Sequence, residues 1–182
     1  MPWEILHRAA PCRNVPVTFT LERMDYRISP AVVAFAETAR GFCVWCESGG
    51  GLSDVQAATW LCRLYGQALA LPPVAPENAE GLLDIPPDTL ARAAANLSDF
   101  NGRYYRKVFD PDPTLDEPPV VGDLGDDLID TYRDIRRGLL LFDRGETVDA
   151  LWHWSFLHRI HWGRHCVGAL QGLHGLSLSQ EE

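Results

Sequence analysis

Residues 149–176 read DALWHWSFLHRIHWGRHCVGALQGLHGL. This stretch carries three of the chain's six tryptophans and five of its six histidines. At 3.6 residues per turn its apolar positions cover most of the circumference, so the spacing predicts one long helix. A helix that is apolar on nearly every side belongs at the centre of a bundle, ringed by its neighbours, with its imidazoles turned into the protein. Gly163 and Gly168 each lower helix stability by about 1 kcal/mol relative to Ala, so something must press against those positions, either another helix or a bound group.

Immediately upstream, Gly145 closes a tight turn after a helix expected over 122–143. The short link makes the two helices antiparallel neighbours. The apolar arc of this fourth helix is Leu124, Leu128, Ile135, Leu139 and Phe142. Asp126, Asp130 and Asp134 lie opposite it, interleaved with Arg133 and Arg137, which is the pattern of a solvated face. Asp127 sits at the edge of the arc and is the one acid placed to turn inward.

Further back, Ser29-Pro30 marks a helix start, with Val32, Phe35, Ala36, Ala39, Phe42, Cys43 and Cys46 on one face. Gly49-Gly50-Gly51 ends that helix. Ser53-Asp54-Val55-Gln56 is a capping box for a second, which Pro72-Pro73 stops near Leu71. A third helix is expected from Pro86-Pro87-Asp88 toward Tyr105. Residues 110–122, with four prolines, are a loop by composition. The first 28 residues break the helical pattern. Val15, Val17, Phe19 and Leu21 alternate around Pro16, which suggests a loosely docked extension. The reading is an all-α single-domain bundle of about five main helices over 29–176, its C-terminal helix central, preceded by an extension over 1–28 and followed by a tail over 177–182.

Composition excludes several function classes. The formal net charge is −9, and residues 110–149 hold twelve acids against four arginines. A nucleic-acid binder needs a basic patch to displace counterions, so DNA and RNA partners are not expected. No apolar run reaches the roughly 18 residues of a membrane span. MPWEILHRAAPCRN lacks the apolar core of a signal peptide. Five cysteines at irregular spacing fit free thiols better than a disulfide framework. Together these features point to a cytoplasmic protein. Cys43-Val-Trp-Cys46 matches C-x-x-C but closes a helix instead of opening one, with both thiols on the core face, so it reads as packing. Cys62 and Cys166 read likewise.

The chemical lead is a histidine row. On a single helix Trp154, His158, His161 and His165 fall within about 60° of one another. His161 and His165, four apart, place their rings side by side, and His158 offers a third nitrogen. Such a set suits a divalent transition metal such as Zn, Fe, Mn or Ni. What the row lacks is a carboxylate: there is no Glu-x-x-His pair, and only Asp127 is a candidate. Histidines bonded to backbone, to Tyr132 or to an aspartate account for the row without metal. Two functions are therefore carried. The first is a non-catalytic interaction or accessory protein without cofactor, whose acidic loop 110–122 and helix 122–143 face a protein partner. The second is a small metal-binding protein or metal-dependent enzyme using His158, His161 and His165. The first leads because the second is short of acidic ligands.

ISPAVVAFAETARGFC, DDLIDTYRDIRRGL, DALWHW and HWGRHCVGAL resemble a bacterial all-helical family, domain of unknown function 5063. The resemblance extends from about Ile28 to Leu176. It implies a compact helical bundle and carries no chemistry, because the family's activity is not established.

Overall fold

The computed structural model describes residues 29–78, 83–108, 110 and 112–178. The extension over 1–28 and residues 179–182 of the tail lie outside them. Helix α1 spans Pro30–Glu47. The Val32 N–H donates to the Ser29 hydroxyl at 3.3 Å, satisfying one of the amides a helix start leaves without an internal partner. Its buried face is the set its periodicity predicts, from Val32 to Cys46. Helix α2 spans Asp54–Ala68 and opens on a reciprocal capping box, with Gln56 N–H on Ser53 Oγ and Ser53 N–H on Gln56 Oε1, both at 3.2 Å. Helix α3 spans Pro87–Asn96 and tightens into a 3-10 turn at Leu97–Phe100.

The third helix does not reach Tyr105. The chain turns at Gly102, where φ is +72°, and forms strand β1, Tyr104–Lys107. This strand pairs antiparallel with β2, Val120–Asp123, Tyr105 standing opposite Gly122. Asp123 holds the arrangement. One carboxylate oxygen accepts the Gly102 N–H and the other accepts the Gly125 N–H, each at 2.8 Å, so a single side chain pins the turn and caps the next helix. Tyr104–Lys107, toward which the third helix is expected to run, is therefore the first arm of a hairpin, and the proline-rich loop joins its arms.

Helix α4 spans Leu124–Asp143 and α5 spans Thr147–Ile160. The predicted single C-terminal rod is in fact two helices. It breaks at His161, whose φ and ψ are −138° and −89°, and resumes as α6, Trp162–Leu173, ending in a π turn over His174–Leu178. Gly163 permits the break: a Cβ there would run into the His158 carbonyl. The chain then re-enters the core through Trp162, whose Nε1 donates to the Trp154 carbonyl at 2.9 Å. Six α-helices result among the described residues instead of five.

The centre is shared by α6, packed on α4, α2 and α5, and by α4, packed on α6, α5 and α1. Trp154 and Trp162 are fully buried, and both lean on Phe35, at ring-centroid distances of 4.9 and 6.3 Å. Trp154 lies directly over Gly138 and donates to the Ile135 carbonyl at 3.1 Å. Truncating such an aromatic costs about 3–5 kcal/mol, so this knot is a main source of stability. No described helix is long and apolar enough to cross a membrane.

Candidate metal centre

The break at His161 decides where the histidines go. His161 and His165 remain neighbours, their rings 4.7 Å apart. His158 leaves the row. Its ring packs between Tyr65, which it meets edge-on, and Trp162, at 4.7 and 4.8 Å, and its buried Nε2 has no hydrogen-bond partner among the described residues. Burial, and then the adjacent Arg159 charge, lower its pKa. His153 is buried and donates through Nε2 to the Asp134 carbonyl at 3.1 Å. His174 is exposed. The expected inward turn of the imidazoles thus holds fully for His153 alone, while the His161 side chain is 46% exposed and that of His165 is 25% exposed.

The acids of α4 correct the solvated-face reading. Asp126 is exposed, but Asp134 and Asp127 are buried and Asp130 is half-buried. The arc expected from the helix's apolar residues is too narrow, because α4 packs against α5 and α6 as well as α1, and Asp134 and Asp127 meet the histidines of that segment. Asp134 Oδ2 accepts from His161 Nδ1 at 2.6 Å, and Asp127 Oδ1 accepts from His165 Nδ1 at 2.7 Å. The inward turn of Asp127 agrees with its place at the arc's edge. Two carboxylates thus each hold one imidazole by Nδ1, which leaves Nε2 of each ring as the nitrogen available to a ligand.

Asp130 lies one helical turn from both acids and faces the same rings. Its Oδ1 accepts from Arg133 at 2.9 Å, and its Oδ2 stands 3.8 Å from His165 Nε2. One ligand atom from each of Asp130, His161 and His165 falls within 4.8 Å of the others. Two ligands of a tetrahedral zinc ion are separated by about 3.3 Å, so these atoms lie within about 1.5 Å of the spacing such an ion needs. Asp130 carries no sequence signal of its own. It reads as one member of a charged stripe until the two histidines are folded onto that stripe.

The Asp127 side of the site is built more heavily. Its carboxylate also accepts from the Tyr105 hydroxyl in a short hydrogen bond and from Lys107 at 3.2 Å. Burial acts to raise the Asp127 pKa, but the hydrogen bonds from His165 and Tyr105 and the Lys107 charge outweigh it and hold the carboxyl below its ordinary range. Burial, and then the Asp127 carboxylate, push the Tyr105 phenol up, so it stays a donor. Tyr132, a candidate histidine partner, instead donates to Glu47 at 2.8 Å.

Cys43, Cys46 and Cys166 are buried, and burial raises each thiol, that of Cys166 to about 12. This agrees with packing roles. Cys62 is exposed and is no core residue.

The model of one protein family, described as a domain of unknown function (DUF5063), matches residues 26–179. The chain belongs to this family. The DUF5063 fold recurs in the crystal structure of protein BF1032 from Bacteroides fragilis, with 19% identity, a TM-score of 0.67, and coverage of 84% of this chain and 95% of that one. At that identity the likeness concerns the fold alone. No curated protein matches the chain.

Proposed function

We propose that this DUF5063 protein binds a divalent transition metal through His161, His165 and Asp130. One observation carries the reading. Both imidazoles are held by Nδ1 on buried aspartates, Asp134 and Asp127, while a third carboxylate, Asp130, stands 3.8 Å from His165 Nε2 and has a ligand atom within 4.8 Å of one from each ring. Backing a histidine with a carboxylate fixes the tautomer and ring orientation and raises ligand basicity, and metal-ligating histidines almost always donate their other ring N–H to a carboxylate, a backbone carbonyl or water. The donor set of two nitrogens and one oxygen suits Zn, Fe, Mn or Ni better than Mg or Ca, which take oxygen. Three protein ligands leave a position for water or substrate, where a bound metal supplies Lewis acidity. The metal reading of the sequence lacks a carboxylate beyond Asp127, and Asp130 is the proposed ligand that fills that place. His158 has no part in the proposed site.

Elemental analysis of protein purified without an affinity tag tests the proposal. The expected result is near-stoichiometric metal, lost in His161→Ala and in Asp130→Ala. Metal-free protein that takes up no added Zn or Co at micromolar concentration would overturn it.

A second reading keeps one supporting observation. Residues 112–119 are exposed throughout and carry Asp112, Asp116 and Glu117 beside an exposed Leu115. Such a loop suits a basic protein partner, and co-purification from the native host tests for one. The helix 122–143 supports this reading less, since Asp127 and Asp134 are turned to the histidines.

A further inference from the structure

Tyr105 occupies a slot that three glycines leave open. A Cβ on Gly122 would meet its ring at 2.6 Å and a Cβ on Gly172 would meet it at 2.8 Å, while a Cβ on Gly168 would overlap its hydroxyl. Gly122 is its cross-strand partner, and the other two lie one turn apart on α6. Glycine in a helix interior is destabilising, so the chain gives up helix stability to seat this ring. The need for a close approach, inferred from Gly168 in the sequence, is met by a side chain from the hairpin.

Phenylalanine would fill the same slot without a polar group to desolvate. The hydroxyl serves one visible contact, the Asp127 oxygen that His165 does not use. Lys107, two residues on and on the same face of β1, reaches the other oxygen. The hairpin therefore grips both oxygens of the carboxylate that orients His165. Asp134, which orients His161, accepts from that ring through Oδ2, and its main-chain carbonyl accepts from His153.

We propose that Tyr105 is a positioning residue of the candidate metal centre: through Asp127 it fixes the His165 ring, and so sets the affinity and ligand geometry of the His161, His165 and Asp130 set. The inference rests on the metal-binding reading above. The chain of contact runs from ring slot to hydroxyl to carboxylate to imidazole, and each link is a packed or hydrogen-bonded pair. Loosening an outer partner of a metal ligand typically costs 10–100-fold in affinity, about the effect expected here.

The test is cobalt(II) binding to the full chain, followed by visible absorption and by competition with a chelator. Tyr105→Phe keeps the ring in its slot and removes only the hydroxyl. It should weaken cobalt binding at least about 10-fold and shift the ligand-field band, with the helical circular-dichroism signal unchanged. Asp127→Asn should do the same. The double variant should be no weaker than Asp127→Asn alone, because the tyrosine acts through the aspartate. Unchanged affinity and spectrum in Tyr105→Phe would overturn the positioning role, as would strictly additive losses in the double variant. Wild-type protein that binds no cobalt would instead overturn the metal reading itself, and this inference with it. Should Tyr105→Phe fail to fold, Lys107→Met on the same carboxylate reads the grip independently, and an unchanged band there would overturn it.

Discussion

Asp134 and His161 sit 27 residues apart in the chain, on α4 and at the junction of α5 and α6, yet their side chains meet at 2.6 Å. The histidine is the residue at which the C-terminal helix breaks, so the bond fixes both a bend in the backbone and the direction of an imidazole. Asp134→Asn should keep the shape of the carboxylate and lose its charge. Metal affinity is expected to fall about 10–100-fold. Isothermal titration with zinc checks this, and an unchanged Kd would remove Asp134 from the site.

Asp130 is half-buried, pairs with Arg133 three residues on, a contact worth about 0.2–0.5 kcal/mol, and stands 3.8 Å from His165 Nε2. Its loss should barely move stability. As the proposed direct ligand, by contrast, it should matter greatly to metal. Compared as metal-free proteins, Asp130→Asn and the wild type are therefore expected to melt within about 2 °C of each other, while the variant loses stoichiometric metal binding. A large melting shift without metal loss would assign it a purely structural role.

His153 gives stability a pH dependence of defined sign. Burial lowers its pKa below the ordinary histidine value of about 6.5, partly offset by Asp134. Well above that value both folded and unfolded states are neutral, and the residue contributes no slope. As pH falls through it, the unfolded chain takes a proton that the folded protein refuses, so stability declines until the folded pKa is passed. The decline is at most about 1.4 kcal/mol per pH unit for one such group. Urea denaturation between pH 7 and 5 should show it, reduced in His153→Leu even though that variant is less stable throughout. An identical slope in the variant would refute the assignment.

Gly138 lies beneath the Trp154 indole, and a Cβ there would clash with the ring. The tryptophan is fully buried and bonded to the Ile135 carbonyl, so it has little room to retreat. Gly138→Ala should therefore destabilise by about 1–3 kcal/mol, despite the better helix propensity of alanine. Chemical denaturation measures this. A stabilised variant would show that the indole shifts freely.

Much of the architecture is local and is legible in the residues. The Ser29-Pro30 start, the Ser53–Gln56 box, the apolar face of α1 and the link at Gly145 all follow from capping chemistry and a 3.6-residue period. The break at His161 is not legible, because Trp162 satisfies the periodicity of a continuous rod as well as it satisfies the core. The hairpin escapes for a similar reason: Tyr104-Tyr105 suits either state until Gly122 is brought opposite.

The sequence by itself determined a helical bundle organised about its tryptophan-rich C-terminal segment, and it marked His161, His165 and Asp127 as residues of interest. It could do so because helix caps, turns and amphipathic faces are set within a few neighbouring residues. Only the tertiary structure decided which aspartates meet which rings, removed His158 from the row and brought Asp130 and Tyr105 to the site. Those pairings join residues 22 to 38 positions apart in the chain. A charged stripe on α4 has the same local pattern whether it faces water or a pair of histidines, so its role is settled only by what packs across it.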